Sequence, residues 1–283
     1  MIDTLLLPFQ FSFMQNAFWI GLIVSVPAAL LSSFLVLKGW ALMGDAVSHS
    51  VLPGIVLAYI IGVPLILGAF VAGMTSALAT GYLAENSRVK PDTIMGVVFS
   101  GMFGMGIVLY VAIDTDTDLD HILYGNMLGV GGQDLLTAGL VAVLVGGAIV
   151  LKWPDLLAHA FDPVQSRASG LRTGWLHYGL LTGLSLTVVA LLTAVGLILA
   201  IGLLIAPGAI AFLVTRRFGQ MLMVSVVICA VSMTLGTYLS FWLDSAPAPT
   251  VVLVLTVLFI AAFLRRIAVN RRAETQHGEP DRQ

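Results

Sequence analysis

The sequence predicts an all-α fold, a polytopic transmembrane helical bundle of about nine spans. Hydrophobic residues fill 59% of the 283 positions and charged residues 10%, against about 25% charged in a soluble domain; mean hydropathy is +1.01. Apolar tracts recur at the length of about 20 residues that a helix needs to cross a hydrocarbon core about 30 Å thick. The basic residues gather in alternate connections between those tracts. A transmembrane β-barrel would alternate polarity in segments of about 10 residues, and no such pattern occurs.

The tracts follow in order. Span 17–37 ends at Lys38 and Gly39. Span 42–61 carries Asp45 and His49 near its start and closes at Gly62. Span 63–84 stops before Asn86 and Ser87. Span 92–113 opens after Lys90 and Pro91 and runs into an acidic stretch. Span 133–151 ends at Lys152. Spans 176–194 and 196–214 form one apolar run, in which Gly196 is the obvious place for a turn. Span 219–240 follows Arg216 and Arg217. Span 247–264 opens at Pro247 and Pro249 and ends at Arg265 and Arg266. Residues 1–16 lack the basic n-region of a cleavable signal peptide.

With nine spans and the amino end outside, all 13 basic residues fall on the cytoplasmic side, as the positive-inside rule requires. This count needs residues 121–132 not to cross. They number 12 and include four glycines, which suits a short re-entrant or surface helix. Eight or ten spans are the alternatives. Residues 1–269 read as one permease domain with a cytoplasmic loop at 152–175. Residues 270–283 read as a polar cytoplasmic tail, expected to be disordered. The expected partner of the apolar exterior is the lipid bilayer.

Asp45 and His49 stand four residues apart in GDAVSHS, which places both on one helix face. An ionisable pair inside an apolar run is a functional-site candidate. Carboxylate with imidazole makes a half-site for Mn²⁺, Fe²⁺ or Zn²⁺, and a second subunit would complete it. A hydrogen-bonded pair that only packs helices is the alternative. Pro53 and Gly54 follow directly; Pro53 predicts a kink beside the pair. Asp114, Asp116, Asp118, Asp120 and His121 could draw cations to an outer mouth, or could mark an external loop that excludes basic residues. The stripes Gly68–Ala72–Ser76 and Gly96–Ser100–Gly104 read as packing faces. Asp244 reads as a turn or cap residue, and His159 and His177 as interfacial.

Other functions lose ground on the same sequence. It has no GxxxxGK[ST] loop, so ATP hydrolysis would belong to a separate subunit. GxSxG, HExxH and CxxC patterns are missing, and the lone Cys229 allows no internal disulfide. The basic residues mark orientation rather than a nucleic-acid groove, so no nucleic-acid partner is expected. A membrane-embedded metalloenzyme would need a third ligand or a base beside the pair.

Four segments carry a resemblance: 37–54 (LKGWALMGDAVSHSVLPG), 92–106 (DTIMGVVFSGMFGMG), 120–129 (DHILYGNMLG) and 161–163 (FDP). Over residues 18–265 the chain resembles the integral membrane permease subunit of the ATP-binding-cassette importers for zinc, manganese and iron, the ABC-3 type. The GDAVSHSVLPG and DHILYGNMLG segments are most similar to the manganese and iron branch. Pro249 departs from the glycine that relatives often carry nearby. The resemblance implies a non-enzymatic transport subunit with Asp45 and His49 as metal ligands in transit. It implies that Phe161, Asp162 and Pro163 couple to a cytoplasmic ABC ATPase. It further implies a second permease subunit, identical or paralogous, and a periplasmic or surface metal-binding protein. No cofactor is expected to be permanently bound; the cargo would be Mn²⁺ or Fe²⁺, with a zinc importer of the same family as the alternative. The expected location is the bacterial plasma (inner) membrane, multi-pass, with the amino end outside and the carboxyl end cytoplasmic.

Overall fold

The computed structural model describes residues 7–40, 42–112 and 127–277. Among them are nine helical stretches long and apolar enough to cross a membrane. Helix α1 spans Ser12–Lys38, α2 Met43–Ser50, α3 Leu52–Ile61, α4 Leu65–Asn86 and α5 Pro91–Val111. Helices α6, Gly132–Val141, and α7, Gly147–Phe161, are joined by a π-helical turn at Ala142–Gly146 into one crossing. Then come α8 at Pro163–Ala168, α9 at Thr173–Val195, α10 at Leu197–Val214, α11 at Phe218–Leu243 and α12 at Pro247–His277. Helices α2 and α3 together make one crossing, Met43–Ile61.

The expected spans match these crossings to within a few residues, with two differences. The stretch 152–161 of the expected cytoplasmic loop is helical and continues α7 to Phe161. The Gly132–Phe161 crossing has 30 residues, about 45 Å at 1.5 Å per residue, so it outreaches the hydrocarbon core. Lys152 marks where it leaves the apolar layer, and an ion pair to Asp155 at 3.1 Å fits that position. The last helix likewise runs past residue 269 to His277.

Local chemistry explains the breaks. Gly39 takes φ 68° and returns its N–H to Leu35 and Val36 carbonyls, closing α1. Gly196 takes φ 83° and divides α9 from α10 at the predicted turn. Glycine enters that region without the Cβ clash other residues meet. Asp244 caps α11 in the left-handed region at φ 49°, the expected cap role.

The α1 helix is the axle of the bundle. It packs on α10 and α11, and α12 closes over both. Without a hydrophobic force between helices in lipid, close contact and hydrogen bonds hold them. The Gly208 N–H donates to Ser32 Oγ at 2.9 Å, and that hydroxyl donates to the Ile205 carbonyl at 3.1 Å. Ser33 donates to Ser225 at 2.9 Å, tying α1 to α11. A second unit, α2 to α5, joins this bundle through α2, which packs on α9 and α10, and through α4, which packs on α9.

Asn16 at the start of α1 donates to the Val130 carbonyl at 3.1 Å. Counting alternate crossings from α1, α5 ends at this same end of the bundle. Residues 112 and 131 therefore lie on one side, as the nine-span reading requires. The described basic residues from Lys38 to Arg271 all fall at the opposite, Lys38 end.

Candidate functional site

Asp45 and His49 are the third and seventh residues of α2, one turn apart on the same face. His49 Nε2 lies 3.3 Å from Asp45 Oδ1, and the two side chains are 24% and 36% exposed. Two donors about 2.1 Å from one ion at right angles stand about 3 Å apart, so this separation fits adjacent ligands of a divalent cation. The other imidazole nitrogen, Nδ1, is buried without a hydrogen-bond partner.

The α5 helix walls the site. The His49 ring stands 5.1 Å from Phe99 and 5.3 Å from Phe103, ring centre to ring centre. These phenylalanines are positions 9 and 13 of a 21-residue helix, so the His49 ring sits near mid-height of α5, with Asp45 one turn nearer the start of its crossing. A carboxylate there cannot face hydrocarbon; it needs water, an ion or another protein surface.

Support for α2 comes from below and behind. Ser48 and Ser50 donate back to the carbonyls of Gly44 and Ala46 at 2.7 and 2.6 Å. Ser76 of α4 donates to Ser50 at 2.8 Å. These hydroxyls hold the helix rather than the Asp45–His49 pair. Val51 separates α2 from α3, and Pro53 is the second residue of α3. Proline has no N–H to give the carbonyl four residues earlier, which is that of His49. Gly54 meets Gly68 of α4 backbone to backbone: an added Cβ would lie 2.5 Å from that of Ala72. The Gly68–Ala72–Ser76 stripe is thus a packing face against α2 and α3. Gly96 and Gly104 behave differently: a methyl added at either would find nothing within 4 Å, and Ser100 is exposed. That face of α5 is open within this chain.

At the Lys38 end, Asp162 ends α7 and begins α8. Its Oδ1 accepts from the N–H groups of Val164 and Gln165, both at 2.9 Å, with Pro163 in the first turn. This is the N-cap followed by proline that a helix start favours. Phe161 and Val164 are 71% and 77% exposed. They form an apolar knob beyond the membrane-crossing part.

Asp114, Asp116, Asp118, Asp120 and His121 lie outside the described residues. Among the described residues no three His, Cys, Asp or Glu converge on one point. His159 and His177 are only 5% exposed, buried among α7, α9 and Trp40 rather than facing an interface. Sequence reasoning missed this burial and the Phe99–Phe103 wall, since both depend on contacts between distant segments.

Comparison with known proteins gives the family. The ABC 3 transport family matches residues 10–266. The chain is 51% identical over 257 residues to the chelated iron transport system membrane protein YfeD of Yersinia pestis, covering 91% of this chain and 86% of that one. It is 44% identical over 260 residues to the manganese transport system membrane protein MntB of Synechocystis, covering 91% and 84%. The solved structure of PsaBC from Streptococcus pneumoniae in complex with Fab superposes with a TM-score of 0.81 at 33% identity, covering 93% of this chain and 95% of that one. The resemblance drawn from the GDAVSHSVLPG, DTIMGVVFSGMFGMG, DHILYGNMLG and FDP segments therefore holds. A bundle of membrane-crossing helices matched along most of its length by transport permeases is itself a transport permease, not an enzyme: the chain belongs to the ABC 3 transport family.

Proposed function

We propose that this chain is the membrane permease subunit of an ATP-driven importer that carries Mn²⁺ or Fe²⁺ into the cytoplasm. The observation that carries the reading is the Asp45–His49 pair, held one turn apart on α2 with two donors 3.3 Å apart and both side chains partly exposed. A cation in transit must exchange much of its hydration for such ligands, because a bare charge in hydrocarbon is prohibitively costly. Two ligands hold an ion loosely, which suits a site that must release it. The iron and manganese named for the two relatives above favour these ions. Asp and His also suit Zn²⁺, so competition among the three ions decides the cargo.

The partners follow from the surfaces. A second permease subunit, identical or paralogous, covers the open face of α5 beside Asp45 and His49 and shields the carboxylate from lipid. An ABC ATPase docks on the Phe161–Val164 knob, and a metal-binding protein delivers at the opposite end. Asp114, Asp116, Asp118, Asp120 and His121 would attract cations there. The test is reconstitution of the permease pair, ATPase and binding protein in vesicles, with uptake of each ion measured in competition. ATP-dependent accumulation of Mn²⁺ or Fe²⁺ is expected. No ATP-dependent uptake of any of the three ions would remove the proposal.

The Lys38 end is assigned to the cytoplasm of a bacterial inner membrane, since it gathers the positive charge. In a Cys229→Ala background, cysteine at Ser245 should react with a membrane-impermeant maleimide in intact spheroplasts. Cysteine at Ser87 should react only after lysis. Both positions are exposed and lie at opposite ends. The reverse labelling pattern would invert the orientation.

A further inference from the structure

A chain of packed rings joins the end of α7 to the start of α2. His159 lies three residues before Asp162, in the last turn of α7. Its ring stands 6.0 Å from that of His177 on α9, edge to face. His177 in turn meets Trp40 at 5.6 Å. The Trp40 carbonyl accepts the N–H of Met43, the first residue of α2, at 2.9 Å. On the other side, Arg167 of α8 donates to Thr173 at the start of α9 at 2.9 Å. A methyl at Gly81 of α4 would fall 2.9 Å from His177 Nε2, so this ring is pinned against a backbone.

His159 is the anomaly in this chain of contacts. It is 5% exposed, and neither ring nitrogen has a hydrogen-bond partner. Phenylalanine would fill the same space without stranding two polar atoms, and buried polar atoms are otherwise almost always satisfied. A second packing that supplies the ring with a polar partner would account for both stranded nitrogens. Packed interfaces switch between discrete arrangements rather than deforming continuously.

We infer that His159 is a positioning residue, a two-state joint that passes movement of the Phe161–Ala168 segment through His177 and Trp40 to the helix carrying Asp45 and His49. The inference rests on the importer reading above. Transmission needs both arrangements to be accessible, and the imidazole nitrogens make the second one favourable. A phenylalanine would lock the first.

The experiment compares wild type, His159→Phe and His159→Gln in the complete reconstituted transporter. It reads metal moved per ATP hydrolysed together with the thermal midpoint. His159→Phe should keep a midpoint at or above wild type while metal moved per ATP falls about tenfold, and His159→Gln should recover a substantial part of it, in line with ordinary coupling between sites. A coupling ratio for His159→Phe close to wild type overturns the inference, as does a loss that tracks a lowered midpoint in both variants. Hydrogen exchange on the wild-type transporter gives a reading free of variants. ATP should alter protection in residues 43–50 as well as 161–168, and a change confined to 161–168 overturns the joint. If the wild type itself moves no metal with ATP, the importer reading fails; if it does and His159→Phe stays coupled, the joint alone fails.

Discussion

Alanine at Asp45 or His49 is expected to lower ATP-driven metal uptake by about 100-fold, because outer-shell partners of a metal alone are worth about 10- to 100-fold and the proposed function makes this pair the ligands themselves. The fold should tolerate both changes. The two side chains bond to each other at 3.3 Å and are partly exposed, and exposed ion pairs contribute little to stability. Expression, membrane insertion and thermal midpoint should therefore stay near wild type while uptake collapses. Asp45→Asn sharpens the point, since the amide keeps the size and a hydrogen-bonding oxygen but drops the charge that offsets the cation. Its uptake should resemble that of Asp45→Ala more than wild type. Vesicles that take up metal at the wild-type rate with either alanine variant would remove the pair from the pathway.

The legible part of this site was the part encoded within one helical turn. Spacing of four residues put Asp45 and His49 together, and the structure keeps them together. Depth was not legible. It comes from Phe99 and Phe103, 50 residues further along, and no local pattern says which turn of α5 meets α2. The crossings were legible because about 20 apolar residues leave few alternatives, and Gly196 supplied the turn in an otherwise unbroken run. The end of α7 was not, since charge at Lys152 marks the edge of the apolar layer and not the end of helical hydrogen bonding. The Gly68–Ala72–Ser76 and Gly96–Ser100–Gly104 stripes look alike in sequence. The first is buried against α2 and α3, whereas Gly96 and Gly104 meet nothing in this chain. A small-residue stripe tells that two helices can approach closely, but which helix, and from which subunit, depends on the assembled surface. His159 was misread for a related reason: a histidine near a span end suits the interface or the interior equally, and its burial depends on packing with α9.

Alanine at Gly54 is expected to be, with alanine at Gly68, among the most damaging single-methyl changes in the described part of the bundle. A Cβ at Gly54 would run into the Gly68 carbonyl and come within 2.5 Å of the Ala72 methyl and 2.8 Å of the Gly68 carbonyl carbon. The clash is reciprocal, since a Cβ at Gly68 meets the Gly54 carbonyl and, at 2.5 Å, the Ala58 methyl. The obstructing atoms are backbone and short side chains, so no rotamer change relieves them; α3 and α4 must separate. Overpacking in a well-filled core costs about 1–3 kcal/mol, and a contact between two backbones belongs at or above the top of that range. The separation would also carry α2, because His49 lies five residues before Gly54 and Ser50 is bonded to Ser76 of α4. Gly54→Ala should thus lower the thermal midpoint by several degrees and reduce uptake per molecule of inserted permease, not merely the amount inserted. Gly147→Ala is the control. A methyl there meets nothing within 4 Å, and alanine is the better helix former by up to about 1 kcal/mol, so its midpoint should hold or rise. A Gly54→Ala permease with the midpoint and uptake of wild type would mean that α3 and α4 do not touch at these glycines, and that α2 takes its position from some other contact.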